Sequence, residues 1–266
     1  MDGMQFWDYT SNEMREAAKD AIAILPVASV EQHGPHLPLG TDSIIVSEFA
    51  KRLKERLAKG GEQALFLPLL AYGKSNEHLL YPGTITLTAE TLMKVLHEIG
   101  ASCARAGFRK LVFLNGHGGN HEILDLMTRE VRIQTGMQVF ALHPLLRVMP
   151  RNLAEHNLSL CEREARLGIH AGQIETSIIL WIDETLVRKE LMCEDYPDNF
   201  EGCSALDFSE TIPFGWMTQD VSKTGTIGNP VRASAEEGGR WLSAVEDALY
   251  EAFIDIKNSR ASAGGR

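Results

Sequence analysis

The strongest constraint on this chain is the way short apolar runs alternate with longer amphipathic stretches through its first 142 residues. Ala21-Ile22-Ala23-Ile24-Leu25-Pro26-Val27-Ala28-Ser29 is apolar nearly without interruption, which predicts a strand buried on both faces at the centre of a parallel sheet. Before it, Thr10-Ser11-Asn12-Glu13 reads as a capped helix start, with the helix ending near Asp20. After it, Ile44, Ile45, Phe49, Leu53 and Leu57 fall at helical spacing between Asp42 and a stop at Gly60-Gly61. The alternation continues with strand Ala64 to Leu70, a long loop to Leu87, helix Ala89 to Ala106 and strand Lys110 to Leu114. A glycine-rich turn, helix His121 to Gln134 and strand Met137 to Leu142 follow. Such strands pair in parallel through right-handed crossovers, so the expected class is α/β, a three-layer α/β/α sandwich with a mostly parallel central sheet. Ile174 to Ile182 and Ala233 to Ile256 are further expected helices, with residues 185 to 231 irregular between them. No repeat, low-complexity tract or linker divides residues 1–266, which read as one domain.

Charge and composition narrow the partners. Lys and Arg total 26 against 36 Asp and Glu, a formal net charge of −10, the reverse of what phosphate affinity requires, so nucleic acid is not an expected partner. No stretch approaches the ~18–20 uninterrupted apolar residues of a membrane span. Cys103, Cys161, Cys193 and Cys203 are scattered, with no C-x-x-C pair and no secretory leader, which points to reduced thiols and a cytoplasmic setting.

Ligands of open parallel sheets bind outside the carboxyl ends of the strands, and three polar clusters fall at or near such positions. The first is Glu31-Gln32-His33-Gly34-Pro35-His36-Leu37-Pro38-Leu39-Gly40-Thr41-Asp42. Glu31 and His33, two apart, share one side of an extended segment, and the Pro and Gly residues let the loop return Asp42 to the same place. The second is Asn115-Gly116-His117-Gly118-Gly119-Asn120, directly after a strand. It matches neither glycine-rich nucleotide motif, which argues against a phosphate cradle and against a nucleotide-dependent oxidoreductase. The third is His170-Ala171-Gly172-Gln173-Ile174-Glu175 at a helix start, where an acid also suits the helix dipole. Each residue alone has a structural reading. In combination they form the oxygen and nitrogen ligand set suited to Zn²⁺, Mn²⁺ or Fe²⁺.

In this order the motifs resemble the creatininase (creatinine amidohydrolase) family from about Ile22 to Ala235. The resemblance also rests on Tyr81-Pro82-Gly83-Thr84, Glu175-Thr176-Ser177 and Gly225-Thr226-Ile227-Gly228-Asn229-Pro230. It implies an amidohydrolase with two divalent metal ions: Glu31 and His117 on one, His33 on the other, Asp42 bridging both. Hydroxide bridging the ions would cleave a non-peptide C–N bond of a small-molecule amide, cyclic amide or formamide. Glu175 or His170 would carry the proton to the departing nitrogen, His170 alternatively serving as a supporting hydrogen bond. In creatininase itself a carboxylate two residues after the turn histidine completes the second metal. Here that position is Gly119, and Glu175 or water is expected to fill it. A homohexamer or other homo-oligomer is implied as well.

Other residues have weaker claims. His78 and Tyr81 lie in the long loop and line the pocket or a plain surface. His36 shapes its loop or supports His33. His121, four after His117, is not expected to form a helical metal pair across Gly118-Gly119. No tryptophan stands shortly before His170, where creatininase uses one to cover its ring. Trp216 and Phe214 would replace it, from this subunit or a neighbour, and Arg166 suits an anionic substrate if it faces the pocket. Alternatives are a formamide hydrolase of a nucleotide-type cofactor pathway, a peptide-trimming enzyme, and a metal-free binding protein on the same fold.

Overall fold

The computed structural model describes residues 4–146, 153–200, 203, 208 and 212–260. Four strands, β1 (Ile22–Val27), β2 (Ala64–Phe66), β3 (Lys110–Asn115) and β4 (Gln138–Leu142), pair in parallel in the order β2-β1-β3-β4. Between them run α2 (Thr41–Lys59), α3 (Ala89–Ala106) and α4 (His121–Thr135), preceded by α1 (Ser11–Ala17). Thr10 caps α1 through a capping box with Glu13. β2 is shorter than the apolar run suggests. Pro68 cannot donate to a ladder, and the chain continues beside β1 through Leu67, whose amide donates to Ile24, and an isolated bridge from Leu70 to Val27.

The alternation of side chains along β1 and β3 divides the interior. Ile22, Ile24, Val112 and Leu114 face one cluster, covered by α2, α6 (Gln173–Ile182) and α8 (Ala235–Asn258). Ala23, Leu25, Val27, Leu111 and Phe113 face the other, covered by α1, α3 and α4. Helices therefore lie on both faces of a parallel sheet, the expected three-layer arrangement. Two short helices complete the fold: α5 (Glu162–Leu167), which lacks a periodic signature in the sequence, and α7 (Thr218–Val221), a single turn inside the expected irregular region. Much of 201–211 in that region lies outside the described residues. All four cysteines are free, and no helix among the described residues is long and apolar enough to cross a membrane.

Trp241 of α8 is fully buried against the α2 and α6 side of the sheet. Replacing it with Ala removes its packing and leaves a cavity, so Trp241→Ala should lower the unfolding free energy by ~3–5 kcal/mol in a urea titration.

Candidate metal centre

β1 and β3 are neighbours, and the chain leaves β1 towards α2 on one face and β3 towards α4 on the other. The loops leaving their carboxyl ends therefore diverge and open the crevice in which ligands of this sheet class bind. The loop after β1 is folded back on itself by the Glu31 amide donating to the Leu39 carbonyl at 3.1 Å and the Leu37 amide to His33 at 3.3 Å. That return brings Asp42, in the first turn of α2, beside Glu31 and His33. The turn after β3 is pinned by Asn115, which accepts from the His117 amide (3.2 Å) and donates to the His117 carbonyl (2.7 Å). Gly116 is required where this turn meets α2, since a Cβ there would lie 2.6 Å from Val46 Cβ and 3.0 Å from the Asp42 carbonyl.

Asp42 stands at the middle. Its Oδ1 is 3.1 Å from His33 Nε2 and its Oδ2 is 3.0 Å from His117 Nδ1, which is also 3.2 Å from Glu31 Oε2. Glu175 Oε1 approaches His33 Nε2 to 4.0 Å. Three groups of potential ligand atoms result, Glu31 with Asp42 and His117, His33 with His170 and Glu175, and Glu31 with His78 and His170, the atoms of each lying within 4.8 Å of one another. Every position singled out in the sequence as a metal ligand thus reaches the same crevice.

The electrostatics record how strongly this pocket attracts positive charge. Burial opposes a proton on His33, but Asp42, Glu175 and Glu31 outweigh it and lift the imidazole to about 9. His117 is raised well above its ordinary range against the same opposition, chiefly by Glu31 and Asp42. Glu31 is held well below the usual carboxylate range by His117, His78 and His33 in spite of its burial. Glu175 goes the other way: burial, helped by Asp42 and opposed by His33, lifts it to about 7. Burial and the neighbouring His33 and His78 push His170 well down, so it is neutral. Its Nε2 donates to the Gln32 carbonyl at 2.8 Å and its Nδ1 lies 3.6 Å from Glu31 Oε1.

The remaining sequence candidates divide. His78 is buried, with Nε2 3.4 Å from Glu31 Oε1 and Nδ1 2.7 Å from the Thr218 hydroxyl, and it lines the cleft rather than a plain surface. Trp216 and Phe214 line the cleft from this same chain, with Phe208 between them at ring separations of 5.5 and 6.0 Å. Tyr81 sits beside Gly225, and Arg166 donates to the Cys203 carbonyl; neither is among the described residues lining the cleft. His36 Nε2 bonds the Thr176 hydroxyl at 2.9 Å and holds the loop from beneath. His121 turns away from His117 to join Asp125 and His143 in a separate cluster, whose His143 Nδ1 meets the Asn115 amide nitrogen at 3.0 Å. Sequence reasoning gave no role to His143, nor to Glu77, which lines the cleft next to His78.

A buried constellation of carboxylates and imidazoles at the switch point of a parallel sheet defines this chain as an α/β enzyme of the hydrolytic kind, and the comparisons with known proteins agree. The creatininase family model, described as creatinine amidohydrolase, matches residues 7–253, and the chain belongs to that family of hydrolases. It is 34% identical to the mycofactocin precursor peptide peptidase of Mycobacterium ulcerans (strain Agy99) over 84% of this chain and 81% of that one. It is 31% identical to the creatinine amidohydrolase of Pseudomonas putida over 91% of this chain and 93% of that one. A solved structure described as creatininase Mn superposes with a TM-score of 0.75 at 27% identity, covering 96% of this chain and 99% of the other.

Glu164 of α5 braces the third cluster although it touches none of the candidate ligands. Buried, it accepts from the Gln173 amide (2.7 Å), the Tyr196 hydroxyl (2.6 Å) and the Asn229 amide (2.9 Å), tying the start of α6 to the segment that pairs with His170. Glu164→Ala strands three donors, so a loss of about 3 kcal/mol or more is expected in a denaturant titration. An unchanged midpoint would show that the turn holds without it.

Proposed function

We propose that this chain hydrolyses a C–N amide bond at a centre of two divalent cations drawn from Zn²⁺, Mn²⁺ and Fe²⁺. The observation that carries this reading is Asp42, which offers one carboxylate oxygen to the His33 side and the other to the His117 side. The donor set fits such ions. Glu31 Oε1, His33 Nε2 and Asp42 Oδ2 are buried and have only ion-pair contacts, without good hydrogen-bond geometry, among the described residues, and a coordinated cation would satisfy them better. Glu31 and His117 would hold one ion, His33 and Glu175 the other, and Asp42 both, so that Glu175 takes up the vacancy at Gly119. When bound, such a pair lowers the pKa of water from 15.7 towards ~7 and polarises a carbonyl oxygen.

The chain's own residues supply the rest. His170, neutral and fixed by the Gln32 carbonyl, keeps an unprotonated Nδ1 facing the centre and moves the proton towards the departing nitrogen, with Glu175 as the second proton-carrying group. Phe208, Phe214 and Trp216 form an apolar wall that excludes water from one side. The cleft measures about 430 Å³, within the ~300–1,000 Å³ of sites for drug-sized ligands, which supports a small-molecule amide bearing a flat or apolar group. A second reading, a short peptide as substrate, is favoured by the four mycobacterial and mycolicibacterial relatives named as precursor peptide peptidases, each 34% identical. In this reading residues 1–266 act as one catalytic domain, within the homohexamer or other homo-oligomer that the resemblance implies.

Turnover with added Mn²⁺ or Zn²⁺ across creatinine, formamidopyrimidines, lactams, linear amides and short peptides tests the reading directly. Asp42→Ala should abolish turnover and bring bound metal below about one ion per chain; wild-type protein that itself holds less than that would favour a metal-free binding protein. His170→Asn should keep its metal yet lose ~10²–10⁴ in kcat, and an unaffected kcat would reduce His170 to a supporting hydrogen bond.

A further inference from the structure

Gly119 has no room for a side chain. A Cβ there would run into Glu77 Oε1 and would stand 2.6 Å from both His117 Nε2 and the Lys74 carbonyl. The volume that any other residue at 119 would occupy is filled by a carboxylate from a different loop. Glu77 belongs to the 3-10 turn Asn76–His78 between β2 and α3 and is 14% exposed. Its Oε1 lies 3.6 Å from His117 Nε2 and its Oε2 3.8 Å from Lys74 Nζ. It lines the same cleft as Glu31, Asp42 and Glu175.

The orientation of His117 gives this contact a consequence. Nδ1 points inward between Glu31 and Asp42, so Nε2 faces outward to the Lys74 carbonyl at 2.9 Å, Ser75 Oγ at 3.2 Å and Glu77. A ligating imidazole gains orientation and basicity from groups behind its other nitrogen, and removing such a group typically costs ~10–100-fold in metal affinity.

We propose that Glu77 is a positioning residue of the metal centre: a carboxylate delivered by the β2–α3 loop into the space that Gly119 leaves open, where its charge, 3.6 Å from the outer nitrogen whose N–H the Lys74 carbonyl accepts, strengthens His117 as a ligand and adds negative charge beside the cations. The inference rests on the two-cation reading above. It gives the glycine at 119 a specific reason, because a methyl group there would displace the carboxylate.

The test is Zn²⁺ affinity, measured by competition with a chromophoric chelator on metal-free protein, with the urea midpoint as a check on folding. Glu77→Gln, which keeps shape and removes charge, should bind at least one Zn²⁺ ~10–100-fold more weakly at an unchanged midpoint. Gly119→Ala should give a loss of similar size, and the double variant should be no weaker than the weaker single, because both act through one contact. Wild-type affinity in Glu77→Gln, or additive losses in the double variant, overturns the proposal. Should Glu77→Gln fail to fold, Gly119→Ala carries the test alone, and wild-type affinity there overturns it equally. Tight Zn²⁺ binding by wild-type protein without turnover of any amide would remove the hydrolase reading and leave the role of Glu77 standing; wild-type protein that takes up no Zn²⁺ removes both.

Discussion

Burying carboxylates among imidazoles is the constraint to which the rest of this structure answers. Glu31 and Asp42 are 0% and 2% exposed, and a buried carboxylate without compensation is strongly disfavoured. His33 and His117 provide part of the compensation by holding protons against their own desolvation, and neutral donors such as Ser75, hydrogen-bonded to Glu31, provide more. The two histidines are thus occupied by protons in the absence of anything better, and a cation arriving there would displace them. Any cation held there would release those protons, so its binding would weaken as pH falls.

Such a charged assembly has to be held by elements that do not themselves depend on it. The parallel sheet does this through its order: because α2 and α4 cover opposite faces, the loops after β1 and β3 diverge around a crevice whose floor is two paired strands. Asn115 is the joint on the β3 side, fixing the His117 turn and reaching His143, while Asn120 ties the same turn to the Ala28 carbonyl and the Lys74 amide. The third segment has no strand behind it. His170 relies on a short antiparallel pairing with Ile227 and on Glu164, so a carboxylate remote from the chemistry stabilises the turn that supplies Glu175.

Much of this was legible in the sequence, and what was missed has physical reasons. An unbroken apolar run admits few placements, so β1 followed from Ala21 to Ser29, and the layered class followed from the alternation of such runs with helical stretches. The helices α2, α3, α4, α6 and α8 announced themselves by periodicity. α5 did not, because Glu162–Leu167 offers six residues with a buried Glu164 in place of an apolar stripe. The candidate ligands in the clusters were visible because loops after strands have little packing reason to concentrate His, Asp and Glu. Glu77 carried no such mark: an acid beside a histidine in a long loop looks solvated, and the clue lay 42 positions away, in a glycine whose missing side chain its carboxylate replaces. Tyr81 shows the converse, a residue within a family motif that ends beside Gly225 rather than in the cleft.

The asymmetry of the cleft sets how an amide can lie in it. Its lining includes a cluster of aromatic rings, Phe208, Phe214 and Trp216, together with the charged side chains of Lys74, Glu77 and Glu122, and Glu175 and His170 line the same cleft. A substrate with one apolar and one polar end would be best satisfied with its apolar end on the aromatic rings, since the reverse would strand polar groups against them and cover charged side chains with apolar surface. Under the amide reading, that preference would favour one direction of binding over the other, and specificity would reside in the loops that carry these side chains, with Asp42 at the centre serving the chemistry.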